Sequence, residues 1–230
     1  MLTAERELLG FYISGHPLTA HEWNLRTFGI ANVADLEALP SGSPVRLGGL
    51  VAQFVKKFTK KTQEPMAVFR LELLDGAVEG VAFPEAFREY GVHLRDEAPI
   101  MACGMLKKDE QIKIEVHEIY PLKDVHQFFA ERISLHIPSA GLDDHRLLQI
   151  KELLARFPGR TPVTLCLQYP TGEKVFVNTH KAFEAEPCES LIHELRHLLG
   201  EESVYIAVQK NACRKASSGR KKWGGNGQNP

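Results

Sequence analysis

Two stretches of this chain carry side chains whose types and spacing could do chemistry. The first is FVKKFTKK at residues 54–61, with four lysines and two phenylalanines in eight residues. Ammonium groups at that density neutralise phosphates, and phenyl rings stack on unpaired bases. The run therefore predicts contacts to single-stranded nucleic acid from Phe54, Lys56, Lys57, Phe58, Lys60 and Lys61. Arg70 and Lys113 are further candidate cations on neighbouring strands. The competing interpretation is a charged surface hairpin, with one of the two phenylalanines in the core.

The second stretch, His193-Glu194-Leu195-Arg196-His197, matches the H-E-x-x-H pattern of zinc proteases, which sets two imidazoles one helical turn apart beside a carboxylate base. Ser203 stands where the longer form of that signature needs its third ligand, and no Asp, Glu or His follows Glu202. Leu191, Ile192, Leu195, Leu198 and Leu199 share one helical stripe, which leaves both histidines facing solvent. The match is accidental. Glu64, Asp75, Glu79 and Glu85 form no polymerase-type metal cluster, and no glycine motif would cradle a phosphate. No catalytic residue, metal ligand or cofactor is predicted.

The lysine run lies in a region of regular two-residue alternation. Ala67, Phe69, Leu71 and Leu73 form one phase of a strand, with Met66, Val68, Arg70 and Glu72 on the other. Ile112, Ile114 and Val116 likewise oppose Gln111, Lys113, Glu115 and His117. Strands are expected at residues 45–57, 66–74, 78–83, 100–107 and 111–119, with a short helix at 84–90 opened by Pro84. Gly48 and Gly49 suggest a bulge or bend within the long first strand. Five such strands describe an OB-type barrel, a fold that often binds oligonucleotides at the loop after its first strand. The outward phases of the second and fifth strands offer no aromatic platform, and Glu72 and Glu115 oppose phosphates. Any binding should therefore be weak and mainly electrostatic.

The remaining chain falls into three parts. Residues 1–43 read as a helical adaptor with little core of its own, including a helix at 3–11. Residues 44–122 form the barrel. Residues 123–208 read as a β-α-β-β-α-β unit of the ferredoxin-like, split βαβ kind. In it, Asp143 caps the first helix and Pro158-Gly159 stops it. Residues 209–230 are a disordered basic tail, with six cations among Ser, Gly and Asn. The fold class is thus mainly β plus α+β.

Lys and Arg total 28 against 29 Asp and Glu, so nucleic-acid affinity must come from local patches rather than net charge. No apolar run approaches the ~20 residues of a membrane span, and no secretory signal pattern opens the chain. A cytoplasmic location is expected. The four cysteines show no C-x-x-C spacing, which argues against a disulfide framework or thiolate zinc site.

Three stretches resemble the C-terminal region of the bacterial DNA polymerase III alpha subunit, a C-family replicative polymerase. They are residues 5–18 (ERELLGFYISGHPL), residues 48–87 with TKK, PMAVFRLE and EGVAFPEAF, and more loosely FPGRTPV at 157–163 with LLG at 198–200. Thr62 departs from that family's usual glycine, and residues 71–76 shorten its acidic turn. The resemblance implies a non-catalytic portion of a replicative polymerase, with an OB domain near single-stranded template DNA. It implies a last domain that docks the clamp-loader tau subunit, with the polymerase's remaining domains as further partners. A stand-alone OB-fold module for single-stranded nucleic acid is the alternative reading.

Overall fold

The computed structural model describes residues 17–211 and 213. The helix expected at 3–11 and most of the basic tail lie outside these residues. Alternation in the sequence becomes five strands: β1 (Pro44–Phe58), β2 (Pro65–Glu72), β3 (Ala77–Ala82), β4 (Pro99–Lys108) and β5 (Ile112–Pro121). They close into a barrel in the order β1-β2-β3-β5-β4, with β3 and β5 parallel and every other pair antiparallel. This is the OB-type connectivity expected from the sequence. Phe69, Leu71, Leu106, Ile114 and Ile119 fill its interior. The helix after β3 is α3 (Pro84–Tyr90), which starts with proline at its first turn.

Residues 45–52 of β1 are buried on both faces. The outer face is covered by the lead-in, a 3-10 turn (Pro17–His21), α1 (Glu22–Phe28) and α2 (Val33–Ala38). Leu18, Leu25, Phe28 and Leu36 enter the barrel's own core from these short elements. The lead-in is also stitched on by its backbone. The Ile30 amide donates to the Arg46 carbonyl at 2.8 Å, and the Gly48 amide to the Ile30 carbonyl at 2.9 Å. Asp75, in the β2–β3 turn, accepts from the Val33 amide at 2.6 Å, so the first turn of α2 is capped from a distant part of the chain.

The glycines of β1 have a different role from the bend expected of them. A methyl carbon at Gly48 would lie 2.0 Å from Leu25, and one at Gly49 would lie 2.5 Å from the Glu72 carbonyl. They permit close packing of α1 and β2, whereas the bulge itself falls later, between Ala52 and Val55.

Beyond the barrel, α4 (Val125–Phe129) leads into a second sheet of β6 (Ala130–Pro138), β8 (Val163–Gln168), β9 (Lys174–Asn178) and β10 (Val204–Val208). The helices α5 (Asp144–Arg156) and α6 (Glu189–Leu199) cover one face, and a short strand β7 (Pro158–Thr161) follows α5. Asp143 caps α5, its carboxylate accepting from the Arg146 amide at 2.7 Å, and α5 ends before Pro158 as predicted. Ile133, Leu135, Val163, Ile150, Leu191 and Leu195 form a separate core beneath these helices.

The order of elements agrees with the sequence, but the strand order β10-β6-β8-β9 corrects the split arrangement. Strands β6 and β8 are direct parallel neighbours, so no strand is inserted within the βαβ unit. Element order alone cannot distinguish these two pairings, because both bury the same apolar faces.

Arg46 holds the parts together. It is 8% exposed on β1, with its guanidinium 4.3 Å from the centre of the Phe129 ring at the end of α4. It donates to the Phe28 carbonyl at 3.1 Å, to the Asn211 carbonyl at 2.8 Å, and to the Gln209 carbonyl. The chain after β10 therefore turns back onto the barrel instead of departing at residue 209. Replacing Arg46 by alanine leaves buried carbonyls without their donor, and should lower stability by about 3 kcal/mol. Lysine keeps the charge but not the planar fork, and should restore only part of that loss. Urea unfolding of the three proteins checks this, and an Arg46→Ala loss below about 0.5 kcal/mol contradicts it.

Candidate nucleic-acid interface

The loop between β1 and β2 and the turn between β4 and β5 flank an open groove on the outside of the barrel. Gln53, Val55 and Lys57 of β1 line it with Val68 and Arg70 of β2, Glu79 of β3 and Gln111. Its volume is about 400 Å³. Phe69 and Val78, buried on the inward phase, also border it, and its exposed lining comes from side chains of the outward phase.

The bulge decides which side chains those are. Ala52 pairs with Arg70 and Val55 with Val68, so β1 advances three residues while β2 advances two. One extra residue reverses the phase of everything that follows. Gln53 takes the strain, with φ at +51°. Phe54 turns to the core side, where its ring packs 6.2 Å from that of Phe87 on α3. Val55 and Lys57 then pair with Val68 and Met66 on the groove side.

The predicted contacts consequently separate. Lys57 and Arg70 are exposed in the groove. Lys56 pairs with Ala67 and Phe58 with Pro65, which places both on the opposite, α3 side of the hairpin. Phe58 is 59% exposed there, while Phe54 is taken into packing. Lys60 and Lys61 occupy the exposed turn, between the two faces. Lys113 lies beside the groove on β5, but its ammonium is 2.8 Å from Glu79, whose hydrogen bond and charge raise the lysine's pKa. It is thus largely neutralised. Lys56, Lys57, Lys60, Lys61 and Arg70 make no ion pair among the described residues.

A row of charge crosses the sheet, because Arg70 stands opposite Glu79 and Glu79 opposite Lys113. Lys107 lies 3.5 Å from Glu115, so the β4–β5 side is internally compensated. The positive end of the groove is therefore at Lys57, Arg70 and the turn lysines. Gln53, Val55 and Gln111 are groove residues that the composition of the lysine run did not indicate. The positions of Gln53 and Val55 follow from the bulge, which no glycine marks, and that of Gln111 from the β4–β5 turn.

The histidine pair expected to be accidental lies on the exposed face of α6. Leu191, Ile192 and Leu195 are buried, whereas His193 and His197 are exposed, and Glu194 is held by Arg156 at 2.7 and 3.0 Å. Among the described residues no three His, Cys, Asp or Glu side chains are grouped to hold a metal ion. No helix among them is long and apolar enough to cross a membrane.

No family model matches the chain. It is similar to the DNA polymerase III subunit alpha of Thermus aquaticus, with 30% identity over 180 residues, 76% of this chain and 14% of that protein. It is also similar to the Bacillus subtilis subunit, with 27% identity over 207 residues, 90% of this chain and 18% of that protein. The chain thus spans less than a fifth of the curated relatives it matches. Among solved structures, an asparaginyl-tRNA synthetase from Pyrococcus horikoshii overlaps 50% of this chain and 30% of its own, with 17% identity and a TM-score of 0.28, which carries no argument.

The bulge can be tested without any ligand. Glycine tolerates the left-handed backbone at residue 53, while a β-branched side chain resists it. Gln53→Gly should hold stability or raise it by up to about 1 kcal/mol, and Gln53→Val should lower it by about 1–2 kcal/mol. Thermal and urea unfolding measure both, and equal stability of the two variants would contradict the observed backbone.

Proposed function

The chain is related over most of its length to a region of the DNA polymerase III alpha subunit, and we propose that it serves that polymerase without catalysing synthesis. In this reading the barrel groove holds single-stranded template DNA weakly, and the second unit docks the clamp-loader tau subunit through the helix face that carries His193 and His197. The observation that carries the DNA reading is the pair of exposed cations, Lys57 and Arg70, which make no ion pair among the described residues at one end of an open groove on an OB-type barrel. Residues 1–43 act as an adaptor and residues 123–208 as the docking unit.

Affinity on such a surface comes mostly from counterion release, since no aromatic ring among the groove-lining residues is free to stack. Anisotropy of a labelled oligo-dT across a salt series tests it. Replacing both Lys57 and Arg70 by alanine should reduce the salt slope by roughly 0.7 for each phosphate that is no longer neutralised. Lys56→Ala, on the other side of the hairpin, should change it less. The tail control must keep residues through Asn211, because an earlier cut removes a carbonyl that Arg46 binds, and a cut after Cys213 does so. If the tail truncation abolishes the slope and the groove variant keeps it, the barrel is not the binding surface.

The docking assignment is tested separately, by mixing the purified chain with the tau subunit in the absence of DNA. A stable complex at micromolar concentration is expected. Failure to form one would remove docking from the proposal and leave the groove unaffected.

A further inference from the structure

The second sheet carries helices on one face only. On the other, alternation presents His136 from β6, Phe176 from β9 and Tyr205 from β10, with Arg132 and Lys174 towards the margins. Phe176 is 64% exposed and Tyr205 45% exposed. The Tyr205 and His136 rings lie 4.6 Å apart, and His136 and Phe176 share a cross-strand row with Cys166 between them. Two strand spacings separate those two rings, roughly 10 Å. Cys166 is fully buried although it lies on this face, which shows how closely the neighbouring side chains cover the sheet.

The electrostatics of the face are as informative as its rings. Glu131 is the one acid within the four strands, and it is displaced into a bulge where β6 slips against β10. Five residues of strand, roughly 16 Å, separate it from His136. Burial and then the Lys174 charge lower the pKa of His136, so its ring is uncharged near neutrality and available as an aromatic surface. Exposed rings on a sheet face, hydroxyls and amides between them and cations at the edge are features that stack unpaired bases, with Glu173 and Glu202 just outside the strands. A protein partner would be recognised by the apolar rings, but would not call for the exposed cations Arg132 and Lys174 at the margins of the face.

We propose that this open face, centred on Phe176, His136 and Tyr205, is a second binding surface for single-stranded DNA, distinct from the barrel groove. It differs from the groove in its physics, because stacking and not charge supplies most of the affinity. The choice of DNA over RNA rests on the relationship to a DNA polymerase subunit. The location of the surface does not.

Ultraviolet cross-linking of the full chain to oligo-dT, followed by peptide mapping, locates the contact. Cross-linked peptides should contain Phe176 and Tyr205, in the parent and in the Lys57→Ala/Arg70→Ala background alike. In that background Phe176→Ala and Tyr205→Ala should each weaken binding roughly five- to a hundredfold, whereas Phe176→Tyr retains it. Phe176 is exposed, so its replacement spares the fold. Cross-links confined to barrel peptides, unchanged affinity on removing both rings, or tighter binding of oligo-U RNA would each overturn the proposal. Failure of the groove is read independently, from the Lys57→Ala/Arg70→Ala double variant carrying intact rings.

Discussion

Arg46 is the side chain on which the relation between the barrel and everything attached to it depends. A buried guanidinium is expensive to desolvate and is tolerated only when its donors are used. Here the partners come from separate stretches: the end of α1, the chain following β10, and the ring of Phe129. Because those stretches are distant in sequence, satisfying one cation fixes all of them against β1. The neighbourhood reinforces this. The Tyr120 ring packs edge-on to Phe129 with centroids 5.4 Å apart, and its hydroxyl donates to the buried Glu118 at 3.1 Å. Burial, followed by the Glu118 charge, raises the Tyr120 pKa, which keeps the hydroxyl protonated as that donor.

The groove depends on a smaller feature in the same strand. Without the extra residue at Gln53, alternation would carry Phe54 and Lys56 outward and turn Lys57 inward. The bulge exchanges them, so the outer face carries Val55 and Lys57 in place of Phe54, Lys56 and Phe58. This explains why a sequence with two phenylalanines among four lysines produces a groove without a stacking platform. The aromatic that remains exposed, Phe58, is on the wrong side of the hairpin.

Much of the fold was legible because burial on one face imposes a period. The five barrel strands, the helix opened by Pro84 and the Asp143 cap all follow from local pattern. Three features were not legible, each for a physical reason. The bulge uses a glutamine in place of glycine, so composition does not announce it. The adjacency of β6 and β8 is a choice between pairings with the same buried faces. The return of residues 209–211 to the barrel depends on backbone carbonyls, which any sequence provides. The candidate residues were therefore legible as types, whereas their division between two sides of the hairpin follows from the bulge.

The far edge of the second sheet has a constraint of its own. Strand β9 is exposed throughout, and Val175, Phe176 and Val177 form an apolar run with one edge unpaired. Such an edge favours pairing with another chain, and proteins usually blunt it with charge, proline or brevity. Here the strand is five residues long and opens on Lys174, which limits the hazard without removing the exposed ring. A leucine or phenylalanine needed only for packing would have been placed beneath the helices, where α5 and α6 already bury that side of the sheet. Phe176 instead faces the open side, two strands from the tilted ring pair of His136 and Tyr205 and away from the single strand carboxylate at Glu131. Exposure there brings no stability to the isolated chain, which accords with the ligand proposed for that face.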